Sequence, residues 1–156
     1  MSIRFAQEKD LNDIKNLLMQ VNNVHADGRP DFFIKNCRKY TDDEILEQIR
    51  NDSILIFVYP DEKDNVIGYA FCQIKNYEGI NNVHPHKTLY IDDLCVDENH
   101  RRKHIGEALL KHVEQFAKEN NFYNIELNVW ECNPSAKAFY EKMGMQVLKT
   151  GMEKLL

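Results

Sequence analysis

No apolar run in this sequence is long enough to cross a bilayer: the longest is the six residues Ile54–Tyr59, where a membrane helix needs about 20. The N-terminus mixes Arg4, Glu8, Lys9 and Asp10 and so lacks the basic-then-apolar pattern of a secretory leader. Cys37, Cys72, Cys95 and Cys132 include no Cys-x-x-Cys pair, which points to reduced thiols rather than a disulfide framework. These absences predict a cytoplasmic protein with no membrane partner. There is no internal repeat and no low-complexity stretch. Neither a Gly-x-x-x-x-Gly-Lys-Ser/Thr loop nor a Gly-x-Gly-x-x-Gly turn occurs, so an ordinary NTPase and a nicotinamide-dependent enzyme are both excluded.

What is present is a chain of 156 residues, 43% hydrophobic, with 25 acidic and 20 basic side chains and a net charge of -5. That length suits one domain spanning 1–156, with enough apolar material for a core. The acidic balance argues against nucleic acid as a partner.

The periodicities give an alternating order of elements. Ser2–Ala6 reads as a strand, and Leu11, Ile14, Leu17, Leu18 and Val21 mark one face of a helix. An irregular stretch follows to Tyr40, and Thr41 stands three before Glu44 as in a capping box, opening a helix to Arg50. Ser53–Tyr59 and Val66–Lys75, joined by the polar Pro60–Asn65, predict a hairpin. Leu89–Val96, the helical spacing from Ile105 to Phe116, and the alternating Tyr123–Val129 predict a βαβ unit. Asn133 as N-cap, Pro134 in the first turn and Gly144 beyond the end bracket a last helix. Short strands near 146–150 and 153–156 are expected to close the fold. The class is α/β, a mixed α+β sheet with flanking helices.

Two groups of residues invite chemistry. His100-Arg101-Arg102-Lys103-His104 lies between the strand ending at Val96 and the helix starting at Ile105. Without Arg101, Arg102 and Lys103 the chain has 17 basic against 25 acidic residues, so this cluster is a local exception. A helix start offers free N–H groups and a positive dipole end to phosphate oxygens, and neighbouring cations neutralise them. Asp92 and Asp93 interrupt an apolar strand. Alternation would send them to opposite faces unless a bulge intervenes, and either could serve an ammonium or take its proton. Glu126 and Asn128 are weaker candidates on the next strand. Cys95, in an apolar strand beside acids, is a packing thiol and not a nucleophile. His25, His84 and His86 stand at no metal-ligand spacing, so no metal is expected.

Leu94-Cys95-Val96, then Arg101-Arg102-Lys103-His104-Ile105-Gly106, then Asn133-Pro134-Ser135-Ala136-Lys137-Ala138-Phe139-Tyr140-Glu141-Lys142-Met143-Gly144-Met145 together resemble the GNAT superfamily of N-acetyltransferases. The family's loop, Arg or Gln, two residues, Gly, one residue, Gly or Ala, maps onto Arg101, His104 and Gly106, with His104 in place of the first glycine. The resemblance implies a GNAT-like twisted sheet with a βαβ core binding acetyl-CoA. It implies that the main chain of Leu94, Cys95 and Val96 takes the pantetheine arm. Arg101, Arg102, Lys103, His104, Ile105, Gly106 and Glu107 would hold the pyrophosphate, with Asn133, Ala136, Phe139, Tyr140 and Lys142 lining the other wall. Tyr140 would be the general acid for the leaving thiolate. His25, Arg29 and Phe33, in or beside the irregular stretch, would join Asp92 and Asn128 at the acceptor. The expected reaction is direct attack by a primary amine of a small cationic molecule in a ternary complex. A protein N-terminus or lysine is the alternative acceptor, and a non-catalytic acyl-CoA-binding module the alternative class. A homodimer is expected.

Overall fold

The structure is a computed structural model that describes residues 2–156. Its elements follow the order β1 (Arg4–Phe5), α1 (Leu11–Gly28), α2 (Asp42–Arg50), β2 (Ile54–Pro60), β3 (Val66–Asn76), β4 (Lys87–Val96), α3 (Ile105–Glu119), β5 (Asn124–Leu127) and α4 (Pro134–Lys142). The strands form one sheet in the order β1-β2-β3-β4-β5. Neighbours are antiparallel except β4 and β5, which run parallel around α3.

The alternating apolar residues of β2 and β3 divide the core between two faces of the sheet. Ile56, Val58, Tyr69 and Phe71 meet Ile14, Leu17, Leu18 and Ile45 from α1 and α2. Phe57, Ala70, Cys72, Leu89 and Ile91 meet Ile105, Leu109, Leu110 and Val113 from α3. Each of these side chains is buried, and burial of a Leu, Ile or Phe stabilises by about 1.5–3 kcal/mol.

The helix signals in the sequence act as expected. The Thr41 hydroxyl accepts from the Glu44 amide at 3.2 Å while the Glu44 carboxylate accepts from the Thr41 amide at 2.7 Å. Asn133 Oδ1 accepts from the Ala136 amide at 3.3 Å, with Pro134 in the first turn. Gly144, at φ 91°, takes the left-handed conformation beyond α4. Arg4 anchors the first strand by a two-pronged contact with the buried Asp10, at 2.8 and 3.0 Å.

Two expectations change. The strand expected over Tyr123–Val129 pairs only over Asn124–Leu127. The expected strands near 146–150 and 153–156 do not form: residues 146–156 are exposed and irregular, and β5 pairs only with β4. A strand needs a neighbour for its N–H and C=O groups, and within this chain the tail has none.

Candidate functional site

The site is set by one irregularity in the sheet. In the β3–β4 ladder Phe71 faces Asp93 and Cys72 faces Ile91, leaving Asp92 as an extra residue without a partner. Such a bulge breaks the alternation of side chains. Both carboxylates therefore turn toward α1 and α2, where only one was expected. Asp93 accepts from the Tyr69 hydroxyl at 2.6 Å. Asp92 accepts from the Tyr40 hydroxyl at 2.7 Å and from Lys39 Nζ through both oxygens at 2.8 Å. The Tyr40 ring in turn stacks over Phe71 with centroids 6.0 Å apart.

Burial pushes the Asp93 carboxyl up to about 6, against the Tyr69 hydrogen bond and with help from the neighbouring Asp92 charge. Burial and then the Asp92 contact push the Tyr40 phenol to about 12. Burial opposes the charge on Lys39, yet the Asp92 contact keeps its ammonium above the usual range. Burial, with the Asp93 carboxylate nearby, also raises the Cys95 thiol, which leaves it protonated and packed against Leu17. The reading of Cys95 as a packing thiol agrees with this.

Beyond Ile91 the β5 side of β4 is open, because β5 pairs only with Thr88–Ile91. Asp92–Val96 thus present a main-chain edge to a gap whose far side is the turn after β5. Such an edge accepts an extended chain of amide groups as an added strand.

The gap leads to the basic turn. Asp97 organises it, accepting from Gln20 at 2.8 Å, His100 at 2.7 Å and the Asn99 amide at 3.1 Å. Burial works against the Asp97 charge, but these bonds hold its carboxyl below the usual range. Arg102 and His104 both take left-handed backbone, at φ 61° and 59°. His104 therefore adopts the conformation that a glycine would take freely, and the residue before α3 keeps its shape without one. Left-handed residues set among right-handed ones curl successive N–H groups into a concave anion nest, here at the positive end of the 15-residue α3. The side chains of Arg101, Arg102, Lys103 and His104 are exposed around it. A Cβ on Gly106 would meet Phe139, Val96 and Leu94 at 3.5–3.8 Å, so the start of α3 is packed between Phe139 of α4 and the gap-facing part of β4.

Tyr140 lies on α4 beside Phe139, with ring centroids 5.1 Å apart. Burial, reinforced by Asp93 and Cys95, raises its phenol well above the usual range, so it is a proton donor at neutral pH. Its hydroxyl makes no hydrogen bond among the described residues, and it is not a buried orphan; it is free to meet a ligand. Ala136 shares the helix. Glu107 is engaged by Lys111 and His104, and Lys142 sits exposed at the last turn of α4.

Of the acceptor candidates, His25 and Phe33 come together. His25 and Phe33 pack with Trp130 and Phe32 in a continuous aromatic wall, with neighbouring centroids 5.0–5.4 Å apart. Burial, then the Lys39 charge, lowers the basicity of His25, which ties the wall to the Lys39–Asp92 pair. Gly28 permits this closure, since a Cβ there would lie 2.8 Å from Cys132 Sγ. Arg29 grips Asp31 at 2.9 Å and Glu153 at 2.7 Å. Asn128 donates to the Tyr90 hydroxyl at 3.0 Å, apart from the wall. Lys39, Tyr40, Tyr69 and Trp130 were not among the residues expected from sequence. The lone tryptophan just after a strand was the one available signal. His86 stacks on Tyr77 at the far end of the sheet, and no metal-holding cluster is present among the described residues.

A sequence model described as the acetyltransferase (GNAT) family matches residues 20–145. Among curated proteins the chain is 35% identical over 88 residues to the probable N-acetyltransferase san of Drosophila melanogaster, covering 56% of this chain and 45% of that protein. It is 31% identical over 106 residues to streptothricin acetyltransferase A of Bacillus subtilis, covering 67% and 56% respectively. The chain thus spans about half the length of the curated relatives it matches. A crystal structure of a point mutant of the BH1408 protein from Bacillus halodurans superposes over 100% of this chain and 99% of that one, with a TM-score of 0.94 and 30% identity.

Proposed function

The chain belongs to the GNAT family of acetyltransferases, and from that premise we propose that this single domain transfers the acetyl group of acetyl-CoA to the primary amine of a small cationic molecule, by direct attack in a ternary complex. The observation that carries the reading is that the open main-chain edge of Asp92–Val96 runs from the bulged acids at one end to the anion nest before α3 at the other.

The residues fit the cosubstrate. The curled amides from Arg102 to Gly106, with Arg101, Arg102 and Lys103, would hold the pyrophosphate. The main chain of Leu94, Cys95 and Val96 would hold the pantetheine amides, with Asn133, Ala136, Phe139 and Lys142 on the α4 side. Bound acetyl-CoA supplies an activated thioester, so no side-chain nucleophile is required.

Each protein group then has a task. A backbone N–H near Val96 steadies the carbonyl oxygen as negative charge grows. Asp92, paired with Lys39 and bonded by Tyr40 in the free protein, would take the acceptor ammonium in place of the lysine's. Asp93, with a carboxyl near 6, takes the amine proton through water at neutral pH. Tyr140 gives its phenolic proton to the departing thiolate. The aromatic wall of His25, Phe33 and Trp130 holds the body of the acceptor with Arg29 at its margin, while Asn128 would reach the acceptor from beside the Tyr90 hydroxyl. The enzyme works in the cytoplasm, consistent with four unpaired cysteines, and as a homodimer. A protein N-terminus or lysine would present the same amine to the same acids.

Incubation with acetyl-CoA and separate panels of small amines and peptides, following thiol release and product mass, tests the reading. Turnover with a small amine supports it; turnover with peptides alone moves the acceptor to protein, and no turnover with either, alongside acetyl-CoA binding, contradicts the catalytic assignment.

A further inference from the structure

An ammonium already sits on Asp92. Lys39 Nζ lies 2.8 Å from both Asp92 oxygens and 5.2 Å from the centre of the Tyr40 ring, while the Tyr40 hydroxyl bonds the same carboxylate at 2.7 Å. Together they leave the Asp92 side chain only 11% exposed, so a second cation would have to displace the lysine. The Lys39 side chain is itself 53% exposed and can swing, but its main chain is tied on both sides. Arg38 is pinned to Asp42 at 2.9 Å, and Thr41 closes the capping box that opens α2. Other lysines pair elsewhere, Lys15 with Asp42, Lys35 with Asp27 and Lys111 with Glu107. Among the described residues Lys39 is the one lysine in contact with a bulged acid.

Asp92 is also the first residue of the main-chain edge that runs on to Val96. Lys39 therefore stands at the acid end of the edge along which the thioester arm would lie. Asp93, the next residue, feels the Lys39 charge and in turn raises the Tyr140 phenol, so lysine, carboxylate and phenol lie within electrostatic reach of one another. A lysine side chain ends in a primary alkylammonium, the same group that the transfer reading assigns to the acceptor. Tethering a reactant beside its target raises its effective concentration far above that of a free amine.

We propose that Lys39 is a self-acetylation site: with no acceptor bound, the chain transfers the acetyl group of acetyl-CoA to its own Lys39 Nζ. This inference rests on the transfer reading of the site. Lys39 leaves Asp92 and loses a proton through water to Asp93, and its free amine attacks the thioester carbonyl. The C–N bond forms, the C–S bond breaks, and the thiolate takes the Tyr140 proton. The second proton lost by the nitrogen restores the phenol, and the first passes from Asp93 to solvent. The products are N-acetyl-Lys39 and free coenzyme A. Acetylation removes the lysine charge and with it the contact with Asp92, which leaves that carboxylate to an incoming ammonium. The modification would thus convert a chain that blocks its own acceptor position into one that presents it.

The test is incubation of the full chain, checked by intact mass for prior acetylation, with acetyl-CoA and no amine, followed by peptide mass mapping over time. Lys39 should be acetylated roughly tenfold or more faster than the exposed Lys63 and Lys154, which report uncatalysed acetylation, and with a rate constant independent of protein concentration. Tyr140→Phe, with its fold checked by far-UV circular dichroism, should slow Lys39 acetylation by roughly a hundredfold and leave Lys63 unchanged. Preincubation with acetyl-CoA should lower the acceptor KM several-fold in the wild type and not in Lys39→Arg, which keeps a cation on Asp92 but offers no amine to acetylate. Acetylation of Lys39 no faster than of Lys63, an unchanged rate in folded Tyr140→Phe, or a rate constant that rises with protein concentration would each overturn the proposal. Turnover of small amines by a chain whose Lys39 stays unmodified would sink self-acetylation and leave the transfer reading in place. Acetylated Lys39 with no small amine accepted would support self-acetylation and overturn the small-amine reading.

Discussion

Asp92 and Asp93 are consecutive in the chain, yet both carboxylates face α1 and α2, Asp92 on Lys39 at 2.8 Å and Asp93 on Tyr69 at 2.6 Å. The bulge opposite Phe71 and Cys72 makes this possible. The two acids then diverge by environment. Asp92 is matched by a cation, whereas Asp93 is buried beside a neutral phenol and titrates near 6. Such divergence separates an electrostatic role from a proton-accepting one.

The Asp93 assignment fixes a pH profile. An ionised Asp93 is required to take the amine proton, so the rate should rise through about pH 6. Asp93→Asn should remove that limb and lower kcat by roughly 10²–10⁴. A variant that retains the limb would place the base elsewhere.

The same carboxyl makes a stability prediction of defined sign. Its folded pKa is raised above the ordinary 3.8 to about 6, so its contribution is fully present below the unfolded value and is lost as pH rises through the folded one. Urea unfolding of the wild type should show this loss between about pH 4 and 6, and Asp93→Asn should flatten it.

Lys39 holds Asp92 where an acceptor ammonium would be drawn. Lys39→Met should therefore lower the acceptor KM several-fold with little change in kcat, and Asp92→Asn should raise it. Steady-state kinetics at saturating acetyl-CoA separates the two. A kcat loss in Lys39→Met without a KM change would make the lysine a proton carrier instead.

His104 takes left-handed backbone at φ 59° with its side chain 84% exposed and its one contact on Glu107. A residue with a Cβ pays about 1–2 kcal/mol for that conformation. His104→Gly should raise stability by about 1 kcal/mol in chemical denaturation and leave acetyl-CoA binding intact. Lost binding would show that the imidazole itself contacts the ligand.

Much of this architecture was legible in local signals. Thr41 with Glu44, Asn133 with Pro134, and the three-and-four spacing of Ile14, Leu17 and Leu18 each act within one turn or two, so sequence alone locates their helices. The basic turn was legible because Arg101 to Lys103 stand out in an acidic chain. The bulge was not, because it is a property of the β3–β4 pairing and neither strand announces it alone. Lys39 reaches Asp92 across 53 positions, and Trp130 meets Phe33 only because Gly28 lets α1 approach Cys132. The C-terminal alternation reads as strand, but a strand exists only where its N–H and C=O groups find a partner, and residues 146–156 pair with none among the described residues.

The most direct test of the whole account is calorimetric titration of the protein with acetyl-CoA, repeated on the double variant Arg101→Glu/Arg102→Glu and on Tyr140→Phe. The account predicts one site per chain in the wild type, binding weakened at least tenfold by the charge reversals, and near-normal binding in Tyr140→Phe with a severe loss of turnover. Absence of acetyl-CoA binding in the wild type, or charge reversals that leave it unchanged, would contradict it.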